Sequence, residues 1–121
     1  MKKKKIVIDE MRYALLDTVQ EDLNVWRVRN FGKPNAIHQM LGVVEEVGEL
    51  SHAKLKFDQG IRGYDSNRCI TEMKDAIGDI VIYLMGLCDV YGWSLFDIVK
   101  MAAKEVLARD WKKFKNNGVS K

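Results

Sequence analysis

Apolar residues recur along this chain at spacings of three and four, the period of helices with one apolar face. The first such pattern, Leu15, Val19, Leu23 and Trp26, predicts a helix from about Asp9 to Arg29. Asn30-Phe31-Gly32-Lys33-Pro34 ends it, with glycine and proline just past the last turn. A second helix, capped by Asn35, is expected from about Ala36 to Phe57, with Met40, Val43, Val47 and Leu50 facing the core. Gly60 to Asp65 reads as a loop. The third pattern, Ile70, Met73, Ile77, Ile80, Leu84, Leu87 and Tyr91, predicts a helix from about Asn67 to Val90. After a turn at Gly92, Ser94 with Asp97 three residues on makes a capping-box-like start. The fourth helix is expected to reach about Lys115, its core side reading Leu95, Val99, Ala102 and Val106. Ile6 to Ile8 could form a short extended segment. Pro34 is the only proline. Four helices with short connections predict an all-α, four-helix antiparallel bundle.

A chain of 121 residues supports one core rather than two. The expected division is a basic, partly flexible segment over 1–8, one all-α domain over 9–116 and a flexible tail over 117–121. The second half of the third helix adds Ile82, Tyr83, Gly86 and Val90 opposite its main stripe. It is thus apolar nearly all round, which predicts an oligomer interface. The 20 basic and 17 acidic residues leave a net charge of +3. Lys2 to Lys5 and the cluster Lys112, Lys113, Lys115 and Lys121 place that excess at the ends. Such ends read as solvated surface, or as a lure for polyanions. No apolar run nears the roughly 18 residues of a membrane span, and three apolar residues after the N-terminal lysines are too few for a signal peptide. With Cys69 and Cys88 as lone thiols, the expectation is a reduced, cytoplasmic protein without a membrane partner.

The candidate chemistry lies in the acids. Glu45, Glu46 and Glu49 fall within about 100° of one another on the second helix, largely away from its apolar stripe. On the third helix Glu72, Asp75 and Asp79 span roughly 60°, opposite the stripe. Like charges at these spacings weaken a bare helix by a few tenths of a kcal/mol per pair. Two facing acid clusters instead read as hard oxygen ligands, and Mg²⁺ suits them because it takes oxygen donors and substrate phosphates. Glu49-Leu50-Ser51-His52 is an E-x-x-H unit, but di-iron bundles need two. Cys69 and Cys88 lack the histidine partners of a zinc site.

The run Glu45-Glu46-x-x-Glu49, with Asp79 ending a second acidic motif about 30 residues later, resembles the MazG-like all-α nucleoside triphosphate pyrophosphohydrolases, in their short phage and bacterial branch. Trp26 with Asn30-Phe31-Gly32, the stretch Leu41 to Ala53, Leu55-Lys56, Gly60 to Gly63, Asp75 to Asp79 and Arg109-Asp110-Trp111 extend the resemblance over most of the chain. One position departs from it: the family's second motif is E-x-x-D, and Ala76 stands at its glutamate position, beside Asp75.

The resemblance implies an oligomeric bundle of the NTP pyrophosphatase type that cleaves a (d)NTP to the (d)NMP and pyrophosphate, cleaning the nucleotide pool. It implies Mg²⁺, with Mn²⁺ able to substitute, on Glu46, Glu49 and Asp79. Asp75 is a candidate fourth ligand, and Glu45 a candidate to hold or deprotonate the attacking water. Lys56, Arg109 and Lys112 are candidates for the phosphates, with the last two also possible donors from a neighbouring subunit, and Trp26 and Asn30 for the base. The expected partners are the nucleotide and further copies of the chain, as a dimer or tetramer. Two rival readings share the residues: a non-catalytic helical module whose basic ends bind nucleic acid, and a related pyrophosphatase acting on phosphoribosyl-ATP.

Overall fold

The computed structural model describes residues 10–121, which are helical with intervening turns and contain no strand. The expectations for residues 1–8, including the extended Ile6–Ile8, lie outside the described residues. Five helices follow in order: α1 (Glu10–Tyr13), α2 (Leu15–Phe31), α3 (Ala36–Gln59), α4 (Ser66–Tyr91) and α5 (Leu95–Leu107). The expected first helix is therefore interrupted at Ala14 and continues to Phe31.

The helix ends follow local chemistry. Asn35 caps α3 by accepting from the amides of Ile37 and His38 at 2.9 and 3.1 Å, which satisfies donors that have no partner inside the helix. Gly60 closes α3 with φ 68° and Gly92 closes α4 with φ 70°. Both sit in the left-handed region, where glycine carries no steric penalty. Asp65 caps α4 through Arg68 N, and Ser94 caps α5 through Asp97 N. The Ser94 hydroxyl also donates to Asp17 at 2.6 Å, tying α5 to α2.

The fourth predicted helix stops at Leu107, not Lys115. Asp110 accepts from the amides of Lys112 and Lys113, and its own amide donates to the carbonyl of Gly118. These side-chain-to-backbone bonds draw the chain into turns in place of a continued helix.

Helices α3 and α4 form the most extensive helix pair. Gly42 lies against Tyr83 and Gly86 against Gln39, so the two helices run antiparallel. The buried positions are Gln39, Gly42, Glu46 and Ala53 on α3, with Cys69, Ala76, Met85, Gly86 and Cys88 on α4. The expected inner face is only partly inside: Val43, Leu50, Met73, Ile80, Leu84 and Leu87 are half-buried. Met40 and Val47 on α3, and Ile70, Ile77 and Tyr91 on α4, are exposed in the single chain. Close approach of the two backbones selects small residues at the contact, so the apolar stripes are left partly outside it.

A Cβ at Gly42 would overlap the Tyr83 ring. Gly42→Ala gains helix propensity of about 1 kcal/mol but forces a displacement costing about 1–3 kcal/mol. The expected net result is a lower urea midpoint; a raised one would show that Tyr83 yields freely.

Helix α2 crosses the C-terminal half of α4, where Met85, Cys88 and Leu95 form a small core with Leu16, Leu23, Val81 and Leu84. Its most buried residues are polar: Gln20 and Arg27. Arg27 donates to Asp89 at 2.9 Å and to the Ile82 carbonyl at 3.1 Å. Gln20 donates to the other Asp89 oxygen at 2.7 Å and to the Trp93 carbonyl, and accepts from the Leu95 amide. One network thus closes Asp89 and the α4–α5 turn against α2. The expected α2 stripe is correspondingly mostly outside, with Leu15, Val19 and Trp26 exposed and Leu23 half-buried. The same holds for α5, where Leu95 is buried but Val99 and Val106 are exposed.

Candidate functional site

The acids of α3 meet at one place. Glu45, Glu46 and Glu49 can each bring a carboxylate oxygen within 4.8 Å of the others. Glu45 and Glu49 face solvent, whereas Glu46 is turned into the α3–α4 contact and is 7% exposed. Its Oε2 is sealed from solvent and has no hydrogen-bond partner. Burial, followed by the charges of Glu49, Asp79 and Glu45 and a hydrogen bond with Glu49, pushes its carboxyl above the ordinary range. A buried carboxylate oxygen without a partner is costly, and a cation between these oxygens would relieve both the desolvation and the repulsion.

Asp79 on α4 stands beside this cluster but is not among the three acids whose oxygens converge. It acts on Glu46 electrostatically, and the two share a cavity wall. Asp75 is exposed and is not among the acids that act on Glu46. Ala76 is 1% exposed and packed between the helices. Glu72 is engaged elsewhere, with Arg68 at 3.0 Å and the Tyr64 hydroxyl, and these bonds lower its pKa.

The cavity that Glu46 and Asp79 border has a volume of about 690 Å³. It opens between the end of α2, the start of α3 and the second half of α4. Trp26, Phe31, Tyr83, Leu23 and Ile82 supply apolar and aromatic walls, and Arg27, Lys33, His38 and Gln39 supply polar groups. The Trp26 and Phe31 rings meet edge to face at 5.7 Å. An apolar cleft with a few convergent polar groups and a perturbed carboxyl is the usual form of a small-molecule site.

Of the base-contact candidates, Trp26 lines the cavity. Asn30 does not; its amide donates to the Trp26 carbonyl at 2.8 Å, closing the last turn of α2. Lys56 lies outside the cavity and donates to Gln59 at 3.0 Å. Arg109 and Lys112 are exposed in the turns after α5, also away from the cavity. Sequence reasoning missed Arg27, Gln39, His38 and Tyr83. The available signal for Gln39 was its place one turn after a strong N-cap and seven residues, about two turns, before Glu46 on one helix face. Arg27 carried no such signal, because its partner Asp89 is remote in sequence.

Set against known protein families, curated proteins and solved structures, the chain matches none.

Proposed function

We propose that this protein is a Mg²⁺-dependent nucleoside triphosphate pyrophosphohydrolase of the all-α bundle type, releasing the monophosphate and pyrophosphate. The observation that carries the reading is Glu46, a buried carboxylate with an unpartnered oxygen, set among like charges at the edge of an aromatic-walled cavity. The donor set is all hard oxygen, which fits Mg²⁺ or Mn²⁺ and suits neither zinc nor a soft metal. Glu46, Glu49 and Asp79 would hold the ion. When bound, it would neutralise phosphate charge and stabilise the leaving oxygen.

The chain's own residues do the rest. Glu45, exposed beside the cluster, accepts a proton from the attacking water. Water oxygen joins the α-phosphorus as the bond to the α–β bridging oxygen breaks, and pyrophosphate leaves. Trp26 and Tyr83 offer flat faces on which a base can stack, and this holds the nucleotide in place. Pyrophosphate release that requires Mg²⁺ and stops with EDTA tests the reading. Release of inorganic phosphate alone, or none from any nucleotide, counts against it.

The reading includes an oligomer. The exposed Met40 and Val47 of α3, Ile70 and Ile77 of α4, and Val99 and Val106 of α5 provide apolar area for it. A second copy also offers a route by which Lys56, Arg109 or Lys112 could approach the phosphates. Light scattering should give at least twice the 13.9 kDa chain mass, and Ile77→Glu should lower it. A wild-type monomer at high concentration would refute the oligomer.

A further inference from the structure

We propose that Gln39 selects the base in this cavity, favouring nucleotides whose base turns a carbonyl oxygen toward it over those that turn an amino group. The inference rests on the nucleotide reading and adds a substrate class to it. Gln39 lines the cavity from the first turns of α3 and is 8% exposed. Its Oε1 is sealed from solvent without a hydrogen-bond partner. That oxygen and the Arg27 guanidinium crowd the same point on α4: a Cβ at Gly86 would overlap the oxygen and lie 2.9 Å from Arg27 Nε. Only a glycine leaves them this room.

Arg27 cannot turn away, because Asp89 and the Ile82 carbonyl hold its guanidinium. Its positive charge draws the oxygen end of the amide. The reverse orientation would press an NH₂ group against a guanidinium, donor against donor. The amide nitrogen is therefore the end left for the cavity, and it is a donor only. Between the aromatic walls, a base edge with a carbonyl oxygen accepts from it. The position read is the one that carries a carbonyl in uracil (C4) and guanine (C6) and an amino group in cytosine (C4) and adenine (C6); an amino group there sets two donors face to face, which leaves both poorly satisfied. Arg27 acts here as a positioning residue.

The test is calorimetric binding of UMP, GMP, CMP and AMP in EDTA, where no turnover occurs. The wild type should bind UMP and GMP at least about tenfold more tightly than CMP and AMP, the effect of one unsatisfied polar pair. Gln39→Glu replaces the donor with an acceptor and should reverse the order. Gln39→Met keeps the length without hydrogen bonding and should flatten it. Circular dichroism melts establish that each variant is folded. No preference in the wild type, an order unchanged in Gln39→Glu, or no binding of any monophosphate overturns the proposal. Because the readout needs neither metal nor cleavage, failure to release pyrophosphate would overturn the hydrolase reading alone and leave a measured base preference standing.

Discussion

Glu46→Gln is expected to lower Mg²⁺-dependent pyrophosphate release by at least about 10²-fold, the scale for losing a group that holds charge in an active site, while the apo-protein becomes no less stable. The two halves of this expectation share one cause. Glu46 is buried among Glu45, Glu49 and Asp79, and its carboxyl is raised chiefly by burial and then by those charges. A group whose pKa rises on folding stabilises the fold below its unfolded pKa. That contribution is lost as pH climbs through the raised value. Once ionised, Glu46 is therefore a liability that a cation offsets, and glutamine of the same shape removes it. The stability gap between variant and wild type in EDTA should widen with pH across that window. Adding Mg²⁺ should raise the wild-type melting temperature and leave the variant's nearly unchanged. A variant that loses activity because it unfolds would show that Glu46 is structural.

Asp89→Ala is expected to be the most damaging change away from the acids, at about 3–5 kcal/mol, because it leaves the buried Arg27 charge uncompensated. Arg27 is 4% exposed, and the pair is closed at 2.9 Å. Gln20 would lose the carboxylate that accepts from its amide. For a chain of this size the melting temperature should fall by about 10–20 °C. The double variant Arg27→Met/Asp89→Leu removes both charges and should recover most of that loss, since apolar replacement of a buried pair is often neutral. A cost below about 1 kcal/mol for Asp89→Ala would mean that water already solvates the pair.

What could be read from the residues alone divides along physical lines. The helix ends set by caps were legible because caps are local: Asn35, Gly92 and Ser94 act as their types require, whereas the end of α5 at Leu107 was not. The acid cluster of α3 was legible because it lies within five residues of one helix. The inner faces of α3 and α4 were legible only in part. Periodicity locates an apolar stripe but does not say what covers it. Here Gly42, Ala53, Ala76 and Gly86 permit a close helix pair, and Met40, Val47, Ile70 and Ile77 face outward. The cavity floor was hidden for a related reason. Gln39 is recognisable as special only once Gly86 and Arg27 stand beside it, and those three residues come from three helices.

The central claim is the bond that is cleaved, and product analysis tests it most directly. The purified protein is incubated with each common NTP and dNTP in Mg²⁺, in H₂¹⁸O, and the products are resolved by ³¹P NMR. The account predicts a nucleoside monophosphate carrying the label and unlabelled pyrophosphate, with neither formed in EDTA. A nucleoside diphosphate with inorganic phosphate, label in the pyrophosphate, or no turnover of any nucleotide by a folded oligomer would contradict it.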